Sequence, residues 1–252
     1  MEARKEREQK FHDHAFSENL RSPSVSKFYS IVKSSREFYT KLVVRNCRGK
    51  NILEYGCGKG SYAFQLAKNG ANVIGIDISE VAIKIAKEKA KDEGVVQKTN
   101  FLIMDAEKLT FPDNYFDTIC GTGILHHLDL KRSLNEVVRV LKPEGKAFFI
   151  EPLGHNPAIN FYRRLTPHLR TDDEHPLTMQ DLDLITKYFS KVQTEFFYLF
   201  SLLAIPFKRF IIFSPTLNLL EVVDKTLFNS FPWLKKFGWF VVISLSGPKH
   251  YL

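Results

Sequence analysis

The chain of 252 residues carries only three cysteines, Cys47, Cys57 and Cys120. They form no CxxC pair and no metal-ligand spacing, so no metal is expected, and a reducing, cytoplasmic compartment suits them. Long apolar runs are also missing. A membrane-spanning helix needs about 18 or more uninterrupted apolar residues. The nearest stretch, Phe196 to Leu220, is broken by Pro206, Lys208, Arg209 and Pro215. Internal repeats and low-complexity linkers are absent, which favours one domain over residues 1–252. Met1 to Lys10 alternates basic and acidic residues without an apolar stretch, so a solvated helix is expected there and not a secretory signal.

What is present is an ordinary globular composition, 44% apolar and 25% charged, with a net charge of +8. The positive residues are scattered, and no basic stripe with interleaved aromatics marks a nucleic-acid surface. Aromatics are dense in one place. Residues 196–240 hold Phe200, Phe207, Phe210, Phe213, Phe231, Trp233 and others, with Lys208, Arg209, Lys235 and Lys236 among them. Part of this must be core. The remainder suits an apolar lid, a dimer face or a peripheral contact with an anionic membrane.

From Asn51 onward, strand and helix patterns alternate. Strands are expected at 51–55, 72–77, 101–104, 116–120 and 146–150. Helices are expected at 61–68, from the Ser79 N-cap to about Glu93, and at 131–141, stopped by Lys142-Pro143-Glu144-Gly145. Residues 11–45 read as helical. After Glu151 comes a polar loop, 153–178, with a short helix near 160–165, then a helix at 181–189 and strands at 192–199 and 239–245. Such alternation implies a parallel sheet covered on both faces, a doubly wound α/β fold.

Residues 54–60 read Glu54-Tyr55-Gly56-Cys57-Gly58-Lys59-Gly60, at the end of an apolar run. Glycines between a strand and a helix let a ligand approach the backbone, and Asp77 at the tip of the next strand can accept ribose hydroxyls. The spacing is GxGxG and not the GxGxxG of dinucleotide folds. Acidic Glu54 suits a ligand bearing ammonium and sulfonium groups better than a diphosphate. A dehydrogenase is disfavoured on both counts.

The ordered set EYGCGKG at 54–60, GIDIS at 75–79, MDAEKLTFPDNYFD at 104–117, GTGILHHL at 121–128 and RVLKPEGKAFF at 139–149 resembles the class I S-adenosylmethionine-dependent methyltransferases. Within these it is similar to the small-molecule group that includes the ubiquinone/menaquinone-biosynthesis type. The resemblance covers residues 50–151. It implies a Rossmann-like sheet of seven mostly parallel strands with an antiparallel last strand, a helical N-terminal cap (1–45), a cofactor-binding core (46–152), a substrate loop and helix (153–190), and a last strand pair with the aromatic insertion (191–252). It implies S-adenosyl-L-methionine as cofactor. Glu54, Gly56 and Gly58 would line its methionine end and Asp77 would hold the ribose. Ile78 would press on the adenine, Asp105 and Ala106 would meet the adenine amino group, and Gly121 would sit near the methionine moiety. The Asn/Asp-Pro-Pro-Tyr element of many nucleic-acid amino-methyltransferases is absent, because Cys120-Gly121-Thr122-Gly123 stands at that place.

Methyl transfer needs a base only where the acceptor starts protonated. His126 and His127 follow the fourth strand, at the sheet edge where such folds bind ligands. His127 is the first candidate base and His126 the second, with Glu151, at the end of the neighbouring strand, to orient one of them. Tyr162, Arg163 and His155 are weaker substrate candidates, and His12 and His14 weaker still. The expected reaction is methyl transfer to O, N or C of a small, apolar metabolite. The competing readings are a non-catalytic subunit of the same fold that binds a partner or membrane, and a nucleic-acid methyltransferase.

Overall fold

The central strand explains the layering. In the computed structural model, which describes residues 2–17, 29–45, 47–169, 171 and 173–249, Ile52, Leu53, Glu54 and Tyr55 of β1 (Asn51–Tyr55) are all buried. A strand buried on both faces must lie inside a sheet covered by helices on both sides. Six further strands complete that sheet: β2 (Asn72–Asp77), β3 (Thr99–Ile103), β4 (Phe116–Thr122), β5 (Leu141–Pro152), β6 (Phe189–Phe197) and β7 (Phe240–Pro248). Their order is β3-β2-β1-β4-β5-β7-β6. Strands β1 to β5 are parallel to one another, whereas β7 runs antiparallel to both β5 and β6. The last strand in the chain is thus antiparallel, and it sits inside the sheet with β6 at the edge.

One face is covered by α2 (Lys33–Val44), α3 (Ala63–Lys68) and α4 (Glu80–Asp92), through residues such as Tyr39, Leu66, Ile83 and Ala86. Helices α5 (Leu130–Val140) and α7 (Met179–Tyr188) cover the other, through Leu134, Val137, Leu182 and Ile185. Local signals set the helix starts. The Ser79 hydroxyl accepts from the Ala82 amide at 3.1 Å, and Asp129 accepts from Arg132 at 3.2 Å. Helix α6 (Pro157–Leu165) starts at Asn156, which accepts from Ile159 at 3.1 Å.

Two boundaries differ from the sequence reading. Lys142-Pro143-Glu144-Gly145 does not separate helix from strand. Strand β5 begins at Leu141, and the register against β4 jumps from Phe116↔Leu141 to Thr118↔Lys146. The four residues bulge out of the ladder, which is where a proline without an N–H can sit in a sheet. The aromatic insertion also holds an 18-residue helix, α8 (Phe213–Ser230). Pro215 does not interrupt it. It lies in the first turn, where amides have no intrahelical acceptor anyway. Short 3₁₀ segments flank α8 at Ser201–Phe207 and Pro232–Phe237.

The insertion is anchored by one buried carboxylate. Asp224, in α8, accepts from the amides of Leu199 (2.9 Å), Phe200 (2.7 Å) and Ser201 (3.1 Å) and from the Ser201 hydroxyl (2.5 Å). Asp224→Ala leaves three amides without their acceptor, that of Ser201 in the interior. It is expected to cost about 2–4 kcal/mol, read from chemical denaturation. A loss under about 0.5 kcal/mol would show that the insertion is held by apolar contacts alone.

Candidate active site

The carboxyl ends of β1 to β5 converge on a cavity of about 1180 Å³. The turn after β1 forms its floor. Gly56 has φ +71°, and a Cβ there would lie 2.7 Å from Ile124 Cδ1, so both conformation and space demand glycine. The Cys57 amide donates to Ile76 O (2.8 Å) and the Gly58 amide to Asp77 Oδ2 (2.8 Å), which ties the turn to the tip of β2. Gly56, Gly58, Asp77 and Ile78 all face the cavity.

Glu54 stands behind this wall. Its carboxyl accepts from Ser61 Oγ (2.6 Å) and from the amides of Tyr62 (2.7 Å) and Ala63 (2.9 Å), capping the start of α3. Burial pushes it up to about 7, against the pull of those hydrogen bonds. Cys57 and Cys120 are buried, and desolvation drives both thiols well above their usual range, so neither is a nucleophile.

On the next strand tip, Asp105 Oδ1 accepts from the Glu107 amide at 2.8 Å. Asp105 and Ala106 both line the cavity, and Tyr55 Oη donates to the Ala106 carbonyl from below. Gly121 is packed under Ile124 and Phe149, off the cavity surface. Its carbonyl accepts from Tyr39 Oη at 3.1 Å, and a Cβ at 121 would meet Ile124 at 2.8 Å.

Beyond β4 the chain makes a 3₁₀ turn, Leu125–His127. Glu151, fully buried at the end of β5, organises it. One oxygen accepts from the Ile124 (2.9 Å) and Leu125 (3.0 Å) amides, and the other lies 2.7 Å from His126 Nδ1. Because the carboxylate accepts, Nδ1 carries the proton and Nε2 keeps its lone pair. His126 lines the cavity, and its Nε2 is 3.9 Å from Glu174 Oε1. Burial, helped by the neighbouring His127, lowers its pKa despite Glu151, so the ring is neutral near pH 7. The sequence reading set His127 ahead, but the structure gives the Glu151 partner to His126. His127 instead turns toward the N-terminal helix, with Nδ1 3.1 Å from Glu8 Oε2.

That helix, α1 (Glu2–Ser17), is the part least expected from the sequence. It lies across the cavity instead of in solvent. Arg4 pairs with Glu107 and donates to the His127 carbonyl at 2.5 Å. Lys5 reaches Asp105 and Glu107. Arg7 meets Asp173 at 2.8 Å, and Asp13 accepts from the Ser79 hydroxyl. Arg4, Glu8, His12 and Phe16 recur every four residues and share the face that lines the cavity. The periodicity is polar, so a search for apolar stripes passes over it. Tyr162 and Arg163 also line the cavity, whereas His155 and His14 do not. Arg163 pairs with Glu174 at 2.9 Å.

Comparisons with known proteins agree with this architecture. Residues 53–149 match the family model described as a methyltransferase domain. The ubiquinone/menaquinone biosynthesis C-methyltransferase UbiE of Serratia proteamaculans is 33% identical over 108 residues, 41% of this chain and 43% of that protein. The ubiquinone biosynthesis O-methyltransferase of Coxiella burnetii is 38% identical over 103 residues, 40% of this chain and 43% of that one. The match therefore spans less than half the length of these curated relatives. Among solved structures, the magnesium protoporphyrin IX methyltransferase ChlM from Synechocystis PCC 6803, with bound S-adenosylhomocysteine, superposes with a TM-score of 0.65 at 14% identity, covering 96% of this chain and 99% of that one. Phosphoethanolamine N-methyltransferase 2 from Haemonchus contortus gives 0.63 at 17% identity, covering 95% and 60%. The glycine turn and the two strand-tip aspartates thus fall within residues 53–149, a segment similar to a methyltransferase domain, set in a sheet whose fold the solved methyltransferase structures above share.

Proposed function

We propose that the chain transfers a methyl group from S-adenosyl-L-methionine to a small, apolar metabolite, with His126 as general base and Glu151 as its orienting partner. One observation carries the reading: a single cavity brings together the glycine turn, Asp77, Asp105 and a neutral histidine with a buried carboxylate behind it. The residues fit the donor. Gly56 and Gly58 leave the backbone open to its methionine end, with Glu54 and Gly121 shaping the wall from behind. Asp77 offers acceptors for ribose hydroxyls, Ile78 an apolar face for the adenine, and Asp105 and Ala106 a polar edge for its amino group. When bound, the cofactor supplies an electrophilic methyl on a sulfonium.

The rest falls to the protein. The cavity exceeds the roughly 300–1,000 Å³ of a usual ligand pocket, which leaves room for an acceptor beside the donor. Helix α1 keeps water out. His126 Nε2 takes the proton of the acceptor as its atom is methylated, and Glu151 stabilises the imidazolium that forms. A poised base favours an acceptor that starts as a hydroxyl or an amine, and carbon acidified by a neighbouring carbonyl follows the same logic. The free, buried cysteines support a reducing, cytoplasmic setting.

A specific feature supports contact with an anionic membrane. Among the described residues no helix is long and apolar enough to cross a bilayer. The insertion nevertheless exposes Phe210 (63%), Ile211 (97%) and Trp233 (64%), beside Lys208, Arg209 and Lys236. Helix α8 buries Leu217, Asp224 and Phe228 on one side and presents Leu219, Val222 and Val223 on the other, a second apolar stripe at helical spacing. Its neighbours Trp239 and Phe240 line the cavity, so an apolar acceptor could pass from a lipid surface to the site.

Four outcomes test these readings. S-adenosylhomocysteine binds by calorimetry while NAD gives no heat, and the opposite result removes the methyltransferase assignment. His126→Ala lowers kcat/KM by about 10²–10⁴-fold with donor affinity kept. Its lowered pKa sets the sign of the pH profile: wild-type kcat/KM is level near neutral pH and falls only on the acid side of the usual histidine range, where the ring gains a proton. A variant at wild-type rate, or a profile that falls above pH 7, refutes the base. For the membrane, the protein floats with anionic vesicles and less with zwitterionic ones, and Ile211→Asp weakens flotation. Equal flotation of that variant, or a stable dimer that covers the patch, counts against lipid.

A further inference from the structure

One cluster in the cavity is not used by the proposed chemistry. Glu8 and His12, one turn apart on α1, face His127 on the loop after β4. One ligand atom from each falls in a group whose members all lie within 4.8 Å of one another. Glu8 Oε2 is 3.1 Å from His127 Nδ1 and 3.4 Å from His12 Nε2. A tetrahedral ion with ligands at about 2.0–2.1 Å holds neighbouring donor atoms about 3.3–3.4 Å apart, and the two observed separations sit close to that spacing.

The second observation is polar and buried. Glu8 is 5% exposed, and its Oε2 lies 3.1 Å from His127 Nδ1 and 3.4 Å from His12 Nε2, an ion-pair distance to each that falls short of well-formed hydrogen-bond geometry. A buried carboxylate oxygen and imidazole nitrogen without a well-formed hydrogen bond cost about 1–3 kcal/mol each, and a cation shared by the three side chains would satisfy them together. Glu8 is also already aimed. Thr171 Oγ1 donates to its other oxygen, Oε1, as an outer partner orients a carboxylate ligand. In the adjacent group His126, His127 and Glu174, the side chains are already engaged, His126 by Glu151 and Glu174 by Arg163.

We propose that Glu8, His12 and His127 form a divalent-metal site of the zinc class, which staples α1 to the active-site loop. Two imidazoles and one carboxylate suit zinc and cobalt better than magnesium or calcium, which prefer all-oxygen shells. Three protein ligands leave a fourth position for water or an acceptor oxygen. The site is separate from the His126–Glu151 pair and does not depend on its role.

The test uses the full chain, stripped with chelator, without any methyl donor. Cobalt(II) is the spectroscopic probe and zinc the calorimetric one. Wild type is expected to give the intense visible bands of low-coordinate cobalt at one equivalent, displaced by zinc. Glu8→Gln and His12→Ala each weaken binding by more than the roughly 10–100-fold that loss of an outer partner costs, and Thr171→Ala, which keeps every ligand, weakens it by about 10-fold. Arg7→Ala, on the same helix but paired with Asp173, binds as wild type. With zinc at 100 times its Kd, tryptic cleavage inside α1 slows by about 100-fold, because the ion binds only the docked helix. The absence of cobalt bands, or binding undiminished in both Glu8→Gln and His12→Ala, overturns the proposal. So does binding lost in Glu174→Gln but kept in His12→Ala, which would place the ion in the neighbouring triad. Thermal melts of each variant separate loss of ligation from loss of fold, and Thr171→Ala carries the test if the α1 variants fail to fold.

Discussion

A carboxylate with no surface exposed to water must find donors for both oxygens or give up its charge. Glu151 finds them at the end of β5: two backbone amides for one oxygen and an imidazole N–H for the other. This arrangement fixes the 3₁₀ turn after β4, and with it the tautomer and direction of His126. It also sets Ile124, whose side chain closes over Gly56 and Gly121 and so joins the donor end of the cavity to the acceptor end. Glu54 solves the same problem with the opposite balance. It caps three donors at the start of α3, yet burial still raises it to about 7. The first carboxylate aims an imidazole into the cavity. The second shapes the turn that a cationic donor would approach, and it is poised to ionise when positive charge arrives nearby.

The pieces of the site legible in the sequence are those whose chemistry is local. The glycine turn, Asp77 at a strand tip, the Ser79 cap and the apolar stripes of α4 and α5 each follow from residues within a few positions of one another. Strand β5 shows the limit. Pro143 and Gly145 read as a stop, and only the partner strand reveals that the chain bulges and continues. The choice between His126 and His127 shows it again. Adjacent residues in a 3₁₀ turn point in different directions, and which one meets Glu151 depends on the register of β4 against β5. Helix α8 was hidden for another reason, since a proline three residues into a helix looks in a sequence like a proline that breaks one.

The helicity of α1 could be read locally, but its docking over the cavity could not. Its contacts join residues as far apart as Arg4 and His127, 123 positions along the chain. The first three turns of its cavity-facing side carry arginine, lysine, glutamate and histidine, which on their own describe a solvated helix, and its apolar members, Phe11, Ala15 and Phe16, come only toward the end. Complementarity makes it a roof: Arg4 and Lys5 meet Glu107 and Asp105, and Arg7 meets Asp173. The net charge of +8 therefore says little about partners, because several of the cations are committed to the protein's own acidic rim.

This roof has an energetic consequence for the donor. Lys5 engages Asp105, the carboxylate proposed to meet the adenine amino group, so that edge exchanges one partner for another when the donor enters. Partly exposed ion pairs contribute about 0–1 kcal/mol each, so no single one holds α1 shut. Several together on one helix hold it over the cavity. Closure that excludes water strengthens every charge interaction beneath it, including the pull of Glu151 on a protonated His126. The donor site, the base and the roof are thus three readings of one cavity, and the affinity of each ligand carries the cost of rearranging the helix that covers it.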